Sequence, residues 1–305
     1  MPNCVRAFGR NLVLTFAVVI GQGQSPVPPA PGDSVVVTAP QDAPNQVIQD
    51  FIWSYAAPTA LAEKLPRWQS GICPVAVGLR PEAIALVLER LKDNAVKAGA
   101  PVDGSTSCKP NLEIVFTTTP QGLLDNVRKK HPGYLGYSRR SAQADRLAVV
   151  THPIQAWYLT ASGSELGGRK VLDSPIIVGP RGMETLYTTQ WPVSGRFTYD
   201  GLFSEFHHVF IVINPDRLID YEIGSLADYI SMMALTRVAS LDRCQRLTTV
   251  MNLLLPGCAA AATALTEGDL AFLRGLYTMR QGYKAVVQRS SIAEAMKPGF
   301  QSQQR

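Results

Sequence analysis

Four cysteines lying behind an apolar leader constrain this chain more than any other feature. Arg6 and Arg10 precede the run LVLTFAVVI, residues 12 to 20, and the small, polar GQGQS follows it. That is the layout of a secretory signal peptide. The run is too short to cross a bilayer comfortably, and no later run reaches about 18 uninterrupted apolar residues. The expectation is an exported chain, periplasmic or extracellular, with no stable membrane span once residues 1–24 are removed. No A-x-A site precedes the Pro-rich segment, so an uncleaved anchor is the alternative. Cys4 lies before the run, leaving Cys73, Cys108, Cys244 and Cys258. An even count in an exported chain points to two disulfides. Three connectivities are formally open. Pairing neighbours, Cys73 with Cys108 and Cys244 with Cys258, closes one loop in each half of the chain and is the expected arrangement. It leaves no free thiol as a nucleophile, and no C-x-x-C spacing points to a four-cysteine zinc site instead.

With 305 residues, 46% hydrophobic and 17% charged, the chain can bury a substantial core. SPVPPAPGDSVVVTAPQDAP lacks an amphipathic period and reads as a disordered Pro/Ala-rich linker over 25–45. A single domain is expected over 46–287 and a flexible tail over 288–305. The formal charge of +5 includes Arg6 and Arg10 and falls to +3 without them, so the pI of 9.0 does not imply nucleic acid as a partner. The densest basic group, Arg128, Lys129, Lys130, Arg139 and Arg140, reads as a solvated helix end and loop.

Pro81 opens a helix in which Ile84, Leu88, Leu91 and Ala95 recur at helical spacing. Leu112, Ile114 and Phe116 alternate in the manner of a strand that ends at Pro120. QGLLDNVRKK reads as a short helix, RLAVVTHPIQAWYLTA and VLDSPIIVG as β-rich, and SGSELGG as a turn. FHHVFIVIN, residues 206 to 214, is the strongest candidate for a buried strand. SLADYISMMALTR is apolar nearly all round, as a helix buried on most sides should be. LDRCQRLTTVMNLLLPGC predicts another helix, stopped by Pro256 and Gly257. Thr266 and Asp269 approximate a capping box ahead of LAFLRGLY. The class is α+β: a mixed sheet with a packed N-terminal helix and a C-terminal helical part.

That order of strand, further strands, apolar helix, loop and LTEGDLAFLRGLY resembles the zincin-like metallopeptidases, with Leu265, Thr266, Asp269, Leu276 and Tyr277 matching their closing segment. Residues 47 to 280 more broadly resemble an uncharacterised family of exported Gram-negative bacterial proteins, through RWQSGICP, CKPNLEIVFTTTP, the AWY at 156 to 158, ADYISMMAL and LTEGDL. An active zincin helix reads H-E-x-x-H, in which two imidazoles four residues apart grip zinc and the glutamate deprotonates its water. The resemblance implies Asp228 and Met232 at the two histidine positions and Tyr229 at the base. A thioether, a lone carboxylate and a phenol of ordinary pKa do not suit those tasks, and no histidine follows His208. Neither a metal nor a cofactor is therefore expected, zinc-dependent peptidase activity is not expected, and the helix is read as degenerate.

The remaining candidates for chemistry are His207, His208, Asp228 and Glu222. As neighbours on a strand, His207 and His208 should point to opposite faces and cannot share one metal. One of them beside Glu222 or Asp228 would make an acid/base pair; a hydrogen-bonded core histidine is the plainer reading. Asp228, on an apolar helix, requires a partner if it is buried. His131 and His152 precede prolines, in turns or connections. No phosphate-binding or dinucleotide-binding glycine motif occurs, and Trp157, Tyr158, Trp191 and Tyr199 would either line a groove or fill the core. The functional expectation is a non-catalytic exported protein binding a peptide or cell-envelope component, in a groove beside the apolar helix. A hydrolase with an unrecognised histidine/carboxylate site and a structural envelope protein are the alternatives.

Overall fold

The computed structural model describes residues 44–105, 107–136, 141–174 and 191–303. The leader, nearly all of the linker, Arg139, Arg140 and most of the expected VLDSPIIVG strand lie outside the described residues. The elements in chain order are α1 (Pro44–Tyr55), β1 (Pro74–Val77), α2 (Pro81–Ala98), β2 (Leu112–Phe116), α3 (Pro120–Lys130), α4 (Ser141–Leu147), β3 (Ile154–Ser164), β4 (Val171–Leu172), β5 (Leu202–Ile213), α5 (Ile223–Leu235), α6 (Glu267–Thr278) and α7 (Ala285–Gln303). The class is α+β, built on one open mixed sheet in the order β1-β2-β5-β3-β4. Strands β1, β2 and β5 run parallel, while β3 is antiparallel to both β5 and β4.

FHHVFIVI forms the centre of the sheet because both of its edges find partners: Leu112 to Phe116 pair with Val209 to Ile213 on one side, and Ile154 to Leu159 pair with Ile213 to His208 on the other. A strand covered on both faces needs no polar alternation. Val209, Ile211 and Ile213, with Leu112, Ile114 and Phe116, pack into a large core shared with α1, α2, α5, α6 and α7. Phe210 and Val212 join Trp157 on the opposite face, under Leu124 of α3 and Ala144 of α4. Pairing shifts register between Leu159 and Thr160, opposite His208 and Phe206, so His207 is the extra residue of a β-bulge. His207 is exposed and His208 is buried.

Local signals explain several helix ends. Pro81 opens α2, and Gly99, with φ of 81°, ends it in the left-handed conformation glycine reaches without strain. Thr266 and Asp269 close a reciprocal capping box on α6.

The sequence set no expectation for one helix, and two stretches differ from what it predicted. The QVIQDFIWSY segment is the body of α1, and its Phe51 meets Phe272 of α6 edge-on at 5.2 Å. LDRCQRLTTVMNLLLPGC is not a helix but a set of turns with one short 3-10 turn, Val250–Asn252. The bridge Cys244–Cys258 holds its two Cα atoms 5.4 Å apart, where fourteen helical residues would separate them by about 21 Å at 1.5 Å per residue. Residues 288–303 are not a tail: α7 runs through them, with Ile292, Ala293 and Met296 buried in the main core. The other bridge joins Cys73 to Cys108. Two disulfides are compatible with export to an oxidising compartment. Among the described residues no helix is long and apolar enough to cross a membrane.

Candidate functional site

Helix α5 bears on function first, because the sequence resemblance would put zinc-binding positions there. Every residue from Ser225 to Leu235 is buried, so no open groove runs along it. Asp228 has no exposed surface, yet it is not a strained charge. Arg90 of α2 grips it side-on, Nε donating to Oδ1 at 2.7 Å and Nη2 to Oδ2 at 2.8 Å. Asn94 of α2 donates to Oδ1 at 2.7 Å, and the backbone N–H of Leu265 donates to Oδ2 at 3.1 Å. Four donors on two oxygens leave the carboxylate little capacity for another ligand. Burial would raise its pKa, but Arg90, Asn94 and Leu265 together hold it below the ordinary carboxylate value. Asn94 also donates to Ser231 at 3.1 Å, so one polar node ties α5 to α2 and to the approach to α6. Met232 and Tyr229 are core residues, and burial pushes the Tyr229 phenol far above its ordinary pKa. Glu222 is the exposed residue immediately before α5 and makes no side-chain cap hydrogen bond.

The histidines do not join this node. His208 lies against Tyr134 at a ring separation of 4.8 Å, with His131 on that tyrosine's edge at 5.9 Å. Its neighbour Val209 is the residue facing α5's side of the sheet. His208 Nε2 is 3.3 Å from Glu113 Oε1 without hydrogen-bond alignment, and neither ring nitrogen has a hydrogen-bond partner among the described residues. Burial lowers its pKa against the opposing charge of Glu113, which favours the neutral ring. The structure thus separates His208 from Asp228 and leaves His207 exposed on the bulge, apart from any carboxylate of α5. A second histidine/carboxylate arrangement, given no role from sequence, involves Thr151, His152 and Asp242: Thr151 Oγ1 lies 2.8 Å from Nδ1, and Asp242 Oδ1 lies 3.0 Å from Nε2. It lines neither the cleft at Arg67 and Glu165 nor the cleft beside the Cys244–Cys258 bridge, and Asp242 is 74% exposed, so solvent screens it. Among the described residues no group of three or more histidine, cysteine or carboxylate side chains could hold a metal ion.

Sequence reasoning missed an opening elsewhere among the described residues. A cleft of about 640 Å³ is lined by Arg67, Glu165, Arg196, Tyr199, Thr278, Met279, Arg280, Gln281 and Tyr283. Its walls come from three distant stretches: the segment before β1, the turn closing β3 with the approach to β5, and the link from α6 to α7. Buried Lys64 pins two of them, donating to Asp200 at 2.8 Å and to the Tyr283 carbonyl at 3.0 Å. Arg67 lies across the end of α6, its Nη1 donating to the carbonyls of Leu276, Tyr277 and Met279. Helix-terminal carbonyls lack intrahelical partners and attract a cation. The Nε and Nη2 of Arg67 have no protein acceptor among the described residues, and Arg196 and Arg280 carry no ion pair there. Burial lowers the Arg67 pKa while Glu165 opposes the shift. Glu165 accepts from the Tyr199 hydroxyl at 2.8 Å and from the Gly282 N–H at 3.1 Å. Three arginines therefore line the cleft with one carboxylate that is already hydrogen-bonded. Of the four aromatics considered from sequence, Tyr199 lines this cleft. Trp157 and Tyr158 anchor the sheet to Leu147 and Met233, and Trp191 donates to the Arg169 carbonyl.

A smaller cleft of about 350 Å³, beside the Cys244–Cys258 bridge, includes Asp50, Trp53 and Arg246, with Arg246 already paired to Asp50. Compared with family models, with curated proteins and with solved structures, the chain has no match.

Proposed function

We propose that the chain is an exported, non-catalytic protein with a degenerate zincin-like fold, and that it binds a peptide or cell-envelope component in the Arg67–Glu165 cleft. The observation that carries this reading is the saturation of Asp228. At the positions the resemblance assigns to zinc chemistry stand a carboxylate held by four protein donors, a buried thioether and a buried phenol. The element order β2, β3 to β5, α5, a loop and α6 supports the zincin-like part of the reading. The cleft supplies what α5 lacks, namely open volume within the range that receives small ligands, and arginine groups without an ion-pair partner among the described residues. A hydrolytic alternative would rest on His208 with Glu113, a pair lying under Tyr134 with the imidazole's pKa lowered. A random peptide pool incubated with the purified protein and equimolar zinc, read by mass spectrometry, is expected to return uncut. New termini that appear only with the protein and vanish with a chelator would overturn the proposal.

A further inference from the structure

We infer that the cleft is a receptor for the terminal carboxylate of a peptide, with Arg67 gripping the carboxylate through its Nε and Nη2 edge. The inference deepens the proposal above and rests on the cleft being the ligand site.

Arg67 is half-buried, and its position is fixed by the three α6 carbonyls that its Nη1 already serves. What remains is one side of a planar fork. Two parallel N–H groups on that side match the two coplanar oxygens of a carboxylate. A guanidinium held in place before the ligand arrives loses less side-chain entropy on binding than a free surface arginine. Arg196 and Arg280 add positive charge without counter-ions among the described residues, so a single anionic group entering the cleft meets a net attraction.

The surroundings favour a peptide end over a bare ion. Tyr199 and Tyr283 meet edge-on at 5.2 Å and line the cleft with Met279, giving an apolar wall beside the charged one. Phe197 is 87% exposed, two residues from Tyr199, and Lys284 sits 5.0 Å over its ring. An aromatic displayed to solvent beside a cationic cleft is a ready contact for the last side chain of a peptide. The cleft's volume suits the last few residues of a chain rather than a folded domain.

The test uses the whole mature protein and two pools of N-terminally fluorescent hexapeptides randomised at their last two positions, one ending in free carboxylates and the other amidated. Anisotropy should show the acid pool binding about tenfold or more tighter than the amide pool, the scale of a charge-assisted bidentate contact. Arg280→Gln should narrow that preference several-fold with the melting temperature unchanged, because Arg280 is exposed and has no protein partner among the described residues. Arg67→Lys should abolish the preference, since an ammonium cannot reproduce the fork. Equal binding of the two pools would overturn the carboxylate inference and leave the cleft standing as a peptide site. If neither pool binds, both this inference and the peptide reading of the cleft fall. Protection of the protein by inorganic phosphate in that case would assign the cleft to a phosphoryl ligand.

Discussion

The Arg90–Asp228 node and the Arg67–Glu165 cleft use the same two kinds of group to opposite ends. In the node, an arginine from one helix and a carboxylate from another close on each other, and the remaining acceptor capacity is filled by Asn94 and Leu265. In the cleft, arginine and carboxylate line one opening but are satisfied separately, Arg67 by carbonyls and Glu165 by Tyr199 and Gly282. A saturated pair is a fastener. An arginine held in place by neutral carbonyls keeps both its charge and part of its donor edge for something else. The difference teaches where to look for function: not at the most buried charge, but at the charge whose position is fixed while its bonding is incomplete.

The largest effect should come from opening the fastener. Asp228→Ala leaves the Asn94 amide and the Leu265 N–H without their acceptor inside a closed core. Arg90 is 44% exposed and can turn toward water, which limits the damage. The expected cost is about 3 kcal/mol, or a fall in melting temperature of roughly 6–12 °C for a domain of this size. Peptide binding in the cleft, measured well below the new melting temperature, should not change. A variant melting within about 2 °C of the parent would show that the node is not a fastener.

A second buried carboxylate sharpens the point by having no cationic partner among the described residues. Asp269 accepts from Thr249 Oγ1 at 2.5 Å, from the Val250 N–H at 3.1 Å, and from the Thr266 N–H at 3.0 Å. Burial raises its pKa in spite of these donors, whereas Asp228 is held below the ordinary value. The two linkages therefore have opposite signs. The stabilisation from ionised Asp228 is present above the unfolded-state pKa of about 3.9 and is lost as pH falls through the folded value. For Asp269 the contribution is present below about 3.9 and is lost as pH rises through the folded value. Asp269→Asn keeps one acceptor for the backbone donors and cannot ionise. The stability difference between parent and variant should thus shift in the variant's favour as pH rises from 4, as read from urea unfolding at several pH values. A difference independent of pH would mean that Asp269 does not titrate as burial dictates.

The parts of the fold legible in the sequence were those governed by local rules. Alternation at Leu112, Ile114 and Phe116, the β-rich run at 206 to 214, Pro81 and the Thr266–Asp269 cap each fix an element through neighbours a few residues away. The failure at 241 to 258 came from two incompatible expectations on the same residues, because a bridge from Cys244 to Cys258 and a continuous helix cannot coexist; the covalent constraint prevails. Ordinary alternation at the His207–His208 doublet gives way to a bulge, which is set by pairing with β3 rather than by the doublet's own residues. At α5, the apolar pattern foretold burial, but the partner of Asp228 lies 138 residues away at Arg90. The cleft was invisible for the same reason, since Arg67, Glu165 and Arg280 have no periodicity in common and meet only through the tertiary fold.

Glu165→Gln gives the smallest effect and the finest discrimination between the two sites. The amide oxygen can still accept from the Gly282 N–H or the Tyr199 hydroxyl, so the stability cost should stay near 1 kcal/mol or less. If the cleft were only another fastener, removing its carboxylate could do nothing beyond that loss. An anion receptor behaves differently: Glu165 is the negative charge beside Arg67, and neutralising it strengthens the field an incoming carboxylate meets. The free-acid peptide pool should then bind a few-fold more tightly to the variant, with the gain shrinking as salt rises, while the amidated pool is unaffected. A variant that loses stability without gaining affinity for the free-acid pool would place Glu165 beside Asp228 as a structural carboxylate, and the contrast between closed and open sites would lose its anionic partner.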